Sequence, residues 1–226
     1  MLTLVRSPAD SAWLEPSLRS FDTRRRLDED TLALLREGDR KTMESALRAL
    51  FPEVRSRLFR LLGPRADLDD AVQETLIEVT RALPKFEGRA SLATLATRIA
   101  VRVSFRYYGN NAGVLRGRGV STVELDEALA GGDDPELRVS QRQTLDKLYR
   151  CLDKLSPKRR VAFVLCAIEG LTPAEAAEIE EVPSLLIRAR LMQARNEIAR
   201  LMRGDPYADE LLREREGSRA EGRGES

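Results

Sequence analysis

Apolar residues recur every three to four positions along most of this chain, and glycine and proline cut that pattern into short helical lengths. Asp28 to Glu37 predicts a first helix, with Leu32, Leu34 and Leu35 apolar and Gly38-Asp39 as its stop. From Lys41 to Leu62, the positions Met43, Leu47, Leu50, Val54, Leu58, Leu61 and Leu62 predict one long helix or a broken pair. Pro52 is the expected kink or interruption, because proline removes a donor and crowds the preceding turn. Gly63-Pro64 is a firm stop. Asp67 to Leu83 sets Ala71, Val72, Leu76, Val79 and Leu83 inward and opens on aspartates, which suit the positive end of a helix dipole; Pro84 closes it. After a loop from Phe86 to Ser91, the span Ser91 to Tyr108 carries Leu92, Leu95, Ile99 and Val103 in one stripe and Arg98, Arg102 and Arg106 in another.

A second run of periodicity begins near Val139 and continues to Leu152, with Leu145, Leu148 and Leu152 inward. Ser156-Pro157 then offers a capping hydroxyl and a proline at a first helical position. Val161, Val164, Leu165 and Ile168 share a face, and Gly170 ends it. Thr172-Pro173-Ala174-Glu175 has the form of a capping box, followed by the small face of Ala176, Ala177 and Ile179. Glu180 to Pro183 is a break. Ser184 to Met202 is the last helix, with Ile187, Leu191, Ala194, Ile198 and Leu201 inward and Arg188, Met192 and Arg195 outward. Two helices joined by a short turn are either a hairpin within a bundle or a helix-turn-helix that sets its second helix in a DNA major groove. Periodicity leaves both open. The outer face tilts towards DNA, since it carries Arg188, Arg190, Arg195, Arg200 and Arg203 with Glu197 the only acid between Glu181 and Arg203. Lys158-Arg159-Arg160 lies at a helix N-terminus, where the dipole disfavours cations, and that placement points to an anionic partner or a solvated end.

Composition fixes the class. The chain has 226 residues, 33% of them charged, 42% hydrophobic and only 5% aromatic, which with the helical periods predicts an all-α protein of two small domains. A formal net charge of +1 hides a strong alternation: residues 81–118 hold eight Lys or Arg against one acid, and residues 119–137 hold six acids and no base. No histidine is present, which removes Ser-His-Asp and Cys-His catalysis and histidine-ligated zinc. Cys151 and Cys166 lack a metal-binding spacing and fall in apolar helical patterns, so they read as buried free thiols. No apolar run reaches membrane-spanning length and the N-terminus lacks a signal-peptide core, so the expected location is cytoplasmic.

Two stretches carry a family resemblance. DLDDAVQETLIEVTRALPKFEGRASLATLATRIA, from Asp67 to Ala100, resembles region two of the extracytoplasmic-function sigma factors of bacterial RNA polymerase. The match runs through Asp67, Asp70, Val72, Gln73, Glu74, Phe86, Gly88, Arg89, Ala90, Ser91, Arg98, Ile99 and Ala100. The stretch from Leu152 to Arg195, including LSPKRRVAFVLCAIEGLTPAEAAEIEEVPSLLIRAR, resembles region four. Three departures stand out. Leu95 occupies the usual tryptophan position, Leu185 and Leu186 replace the usual Gly-Thr, and VRVSFRYYGNN follows Ala100 in place of a basic cluster.

The resemblance implies an alternative sigma factor, not an enzyme, that needs no cofactor. Its expected partners are core RNA polymerase and promoter DNA, with an anti-sigma factor left open and no membrane. Polymerase would bind the strip Asp67, Asp69, Asp70, Gln73, Glu74 and Glu78, which without the resemblance reads as a solvated helix start. The −10 element would meet Lys85, Phe86, Gly88, Arg89, Ser91, Arg98, Arg102 and Arg106, with Phe86 either stacking on a base or belonging to the core. Tyr107 and Tyr108 either stack on single-stranded bases or cap the domain core. The −35 element would meet Lys158, Arg159, Thr172, Ser184, Leu185, Arg188, Arg190 and Arg195. The expected organisation is a flexible leader over 1–26, a region-two-like domain over 27–110, a linker over 111–139, a helix-turn-helix domain over 140–204 and a disordered acidic tail over 205–226. Two other readings compete: a sigma-like DNA-binding regulator that no longer initiates, and an all-helical magnesium-dependent hydrolase using Asp67, Asp69, Asp70 and Glu74.

Overall fold

A computed structural model describes residues 22–110 and 147–203. Residues 1–21 of the expected leader, the whole expected linker, the start of the expected helix ending at Leu152 and the tail lie outside them. All regular structure among the described residues is helical. Helix α1 is Glu29–Glu37, α2 Arg40–Leu62, α3 Leu68–Ala82 and α4 Leu92–Asn110. Residues 147–152 form the described part of α5. Helix α6 is Pro157–Phe163, α7 Pro173–Glu180 and α8 Ser184–Leu201.

The caps explain where these helices begin and end. The Asp28 carboxylate accepts from the Thr31 amide at 2.8 Å, and the Asp39 carboxylate from the Thr42 amide at 2.8 Å. Gly38 ends α1 in the left-handed conformation at φ 77°, which only glycine adopts without a Cβ penalty. Thr172 and Glu175 close the expected capping box on α7, each side chain bonding the other's backbone amide. Ser156 differs from its expected role: its side chain caps nothing, and Pro157 starts α6 through its fixed φ alone.

Pro52 does not interrupt α2. The carbonyl that loses its partner belongs to Arg48, four residues back, and Arg48, Phe51 and Pro52 all face solvent. Water can take that hydrogen bond while Leu50, Val54 and Leu58 hold the opposite face in the core. Between α3 and α4, Leu83–Lys85 form a single tight 3₁₀ turn that accommodates Pro84. After α6 the helix widens over Val164–Ile168, with the Glu169 amide reaching the Val164 carbonyl at 2.9 Å. Gly170, at φ 78°, then releases the chain towards α7.

In the first half, α2, α3 and α4 pack on one another, and α1 lies on the 3₁₀ turn. In the second, α8 packs on α6 and α7. The two halves also touch. Helix α4 runs along α6 and α7. The Phe59 and Tyr149 rings meet edge-on with centroids 5.5 Å apart. Gly63, at φ 77°, lets the chain pass so close that a Cβ there would lie 3.2 Å from both Tyr149 and Arg160. Cys151 and Cys166 are buried and free, as their apolar setting predicts; burial pushes the Cys151 thiol pKa up.

Candidate nucleic-acid interface

Helix α3 carries the acidic strip, and its members divide by partner. Asp67 does not cap α3; it forms a paired contact with Arg65, whose Nη2 lies 2.7 Å from Oδ2. Asp69 faces Arg55 at 3.7 Å, with its own side chain 86% exposed. Glu74 and Glu78 share the Arg106 guanidinium at 2.8 and 2.5 Å. Burial alone would lower the Arg106 pKa, but Glu78 and Glu74 outweigh it and raise it. The Tyr107 hydroxyl also lies against Glu74, and burial together with that charge pushes it up to about 12. Asp70 and Gln73 are exposed. The hydrolase reading needs these carboxylates to converge on an ion. Instead Asp67, Asp69 and Glu74 turn to separate arginines, and no three acidic, cysteine or histidine side chains gather among the described residues.

The candidate −10 surface follows α3. Lys85, Arg89 and Arg102 are exposed, with Arg89 only 2.8 Å from the exposed Glu87. The rest of the set has internal work. Phe86 is 9% exposed and belongs to the core, so of its two open roles the structure gives the packing one; its carbonyl accepts from Arg36 Nε at 3.1 Å. Gly88 sits at φ 74°, and a Cβ there would lie 2.9 Å from Leu32 Cδ2, so glycine is required by backbone and packing before any ligand is considered. The Ser91 hydroxyl caps α4 by accepting from the Thr94 amide at 3.1 Å. Arg98 has a buried Nε without a protein partner. Tyr107 and Tyr108 cap the core: Arg65 lies over the Tyr107 ring, Arg160 over Tyr108, and the Tyr108 hydroxyl donates to the Leu61 carbonyl.

The third surface is α7 and α8. The turn between them is made by Glu181, a non-glycine residue at φ 56°, which brings α8 across α7. Arg190 points inward, with Nη1 2.7 Å from Glu180 Oε2 and both side chains largely buried at 12% and 4% exposure. Burial pushes the Glu180 carboxyl up against the pull of Arg190. Arg159 donates to Gln193 at 3.0 Å and to Glu197 at 3.1 Å. Arg160, which the sequence aligned with an anionic partner, is 2% exposed and pairs with Asp153. Thr172 is occupied by the capping box and Ser184 is half-buried. Lys158, Leu185 and Arg188 are exposed, and Arg195 is half-exposed beyond them. A bundle hairpin would cover this face; among the described residues it is open, with cations on it and the one acid of α8, Glu197, bound by Arg159.

Sequence reasoning missed one cluster. Glu169, 112 positions from Arg57, receives its Nε at 3.1 and 3.0 Å and the Arg60 Nη1 at 3.0 Å, joining the two halves. Arg57 also reaches the Thr97 hydroxyl. No local pattern marks so distant a pairing.

Comparison with known proteins agrees with this layout. The family described as Sigma-70 region 2 matches residues 46–113, and Sigma-70, region 4 matches residues 145–198. The ECF RNA polymerase sigma-E factor of Escherichia coli (strain K12) is 28% identical over 181 residues, covering 76% of this chain and 92% of its own. That of Haemophilus influenzae is 25% identical over 177 residues, covering 76% and 93%. CnrH, solved with the cytosolic domain of CnrY, shares the fold at a TM-score of 0.51 and 20% identity, over 79% of this chain and 98% of its own. The sigma factor RpoE solved with the anti-sigma factor NepR from Bartonella quintana does so at 0.51 and 22%, over 73% and 99%. With both regions present in that order on two helical units, this chain belongs to the sigma-70 family as an extracytoplasmic-function sigma factor.

Proposed function

We propose that this chain binds core RNA polymerase through the exposed part of α3, reads promoter DNA with α8, and leaves catalysis to the polymerase. The observation that carries the reading is the open cationic face of α8 on a helix-turn-helix that follows a region-two-like unit. Asp69, Asp70 and Gln73 are the polymerase contacts, because they remain exposed while Asp67, Glu74 and Glu78 turn to Arg65 and Arg106. Lys85, Arg89 and Arg102 meet phosphate near the −10 element, and Lys158, Arg188 and Arg195 do so near the −35 element. Promoter DNA places the work in the cytoplasm. Among the described residues no helix is long and apolar enough to cross a membrane. An anti-sigma protein, as in the complex of the Bartonella relative, is the candidate regulator.

Run-off transcription with purified core polymerase on a promoter library tests the whole reading. Specific transcripts are expected. Asp69→Arg with Asp70→Arg should weaken the core complex at least tenfold while leaving helicity unchanged; an unchanged complex would remove α3 as the polymerase surface. A regulator that has lost initiation would bind promoter duplex but give no transcript.

A further inference from the structure

Three of the six large apolar side chains exposed among the described residues lie on α8: Leu185 at 74%, Leu186 at 41% and Met192 at 60%. Leu185 and Met192 are two helical turns apart and stand on one line, opposite the buried Ile187, Leu191, Ala194 and Ile198. Leu186 lies off that line. An apolar line that no described residue covers calls for a partner, and the surrounding charges select which kind. Exposed Arg188 lies on the same side between the two, and Arg195 follows one turn past Met192. Glu197, the only acid in α8, is held by Arg159. A partner that is anionic along its edges and apolar in its groove matches this surface. The major groove of DNA has phosphates at its rims and thymine methyls on its floor.

We propose that Leu185 and Met192 read thymine methyl groups and so set promoter specificity at two positions. The inference rests on the reading of α8 as the promoter helix. Leucine and methionine donate no hydrogen bonds, so the selectivity must come from apolar contact. Seven residues at about 1.5 Å rise place the two side chains roughly 10 Å apart along the axis. At about 3.4 Å per base pair that separation is about three base-pair steps. Arg188 and Arg195 fix the register on phosphates, and Arg190 takes no part because Glu180 holds it.

The test uses holoenzyme assembled from the full chain and core polymerase. Selection from a randomised duplex library should yield an upstream element with two A·T pairs about three steps apart. Each selected thymine is then replaced by deoxyuridine, which removes only the methyl. Wild-type binding is expected to fall about three- to tenfold at each of two positions, the scale of one buried methyl or somewhat more. Leu185→Ala and Met192→Ala should each abolish the sensitivity at one position while melting at the wild-type temperature, since both side chains are exposed. The proposal is overturned if deoxyuridine has no effect, if both variants keep the wild-type sensitivity, or if they lose only a protein regulator and keep promoter preference. A library that yields transcripts but no upstream preference, together with an Arg188→Ala variant of unchanged affinity, overturns the reading of α8 and this inference with it.

Discussion

Arg188 and Arg190 are two residues apart on one helix and have different physical fates. Arg188 faces solvent, whereas Arg190 is locked to a buried carboxylate. Arg188→Ala should therefore weaken promoter binding about uniformly across sequences and reduce the salt slope by about one, with little change in stability. Arg190→Ala leaves Glu180 buried without its counter-charge and should destabilise the domain by roughly 3–5 kcal/mol near neutral pH. Denaturant unfolding separates the two. The pH dependence gives a sharper check. The folded Glu180 carboxyl sits above its ordinary 4.5 because of burial. Between that value and the raised one, the folded chain holds more protons than the unfolded chain. The group's contribution thus increases as pH falls through the window and is lost as pH rises through it. Removing Arg190 raises the carboxyl further, so the defect should shrink on acidification; a defect independent of pH would mean Glu180 is not the group responsible.

At the scale of single elements, caps and stops govern the outcome. Thr172→Ala removes one half of the box that starts α7 and should cost about 1 kcal/mol. The Thr172 backbone amide and hydroxyl hold the Glu175 carboxyl below its ordinary range. That contribution is present above 4.5 and fades as pH falls through the folded value, so the cost of Thr172→Ala should be smaller in acid. Unfolding at two pH values checks this. Gly88→Ala should destabilise the loop after α3 through its φ of 74° and the 2.9 Å approach to Leu32, whether or not DNA is bound. Arg89→Ala, on an exposed side chain, is the cleaner probe of promoter contact. These elements were largely legible in the sequence, because an aspartate before a leucine period or a glycine after one acts within a few residues of itself. Pro52 was misleading because its effect depends on which way Arg48 faces, a tertiary fact. Phe86, Arg159, Arg160 and Arg190 were ambiguous for the same reason. A charge or a ring in a string shows its type, and only the fold shows whether the core, Glu197, Asp153 or Glu180 has already claimed its surroundings.

Among the described residues, the Glu169 ionic cluster, a few rings and the packing of α4 on α6 and α7 hold the two halves together. Glu169 has a side chain only 5% exposed and takes charge-assisted bonds from Arg57 and Arg60. Arg160 is buried between Asp153 and the Tyr108 ring, and its Nε and Nη2 have no protein partner. A buried guanidinium with unmatched donors is costly, and separation of the halves would return it to water. The contact is therefore stabilised at Glu169 and opposed at Arg160. Glu169→Lys replaces attraction by repulsion from Arg57 and Arg60. It should raise the radius of gyration in small-angle scattering and cost roughly 1.5–3 kcal/mol of contact per lost charge-assisted bond. Each half should keep its own helicity, since α2, α3 and α4 and the α6 to α8 group have separate packing. High salt should move the wild-type chain in the same direction but less, because the carboxylate is shielded from solvent. An unchanged radius in Glu169→Lys would show that the Phe59–Tyr149 contact and the packing of α4 on α7 hold the halves without help from the ionic cluster.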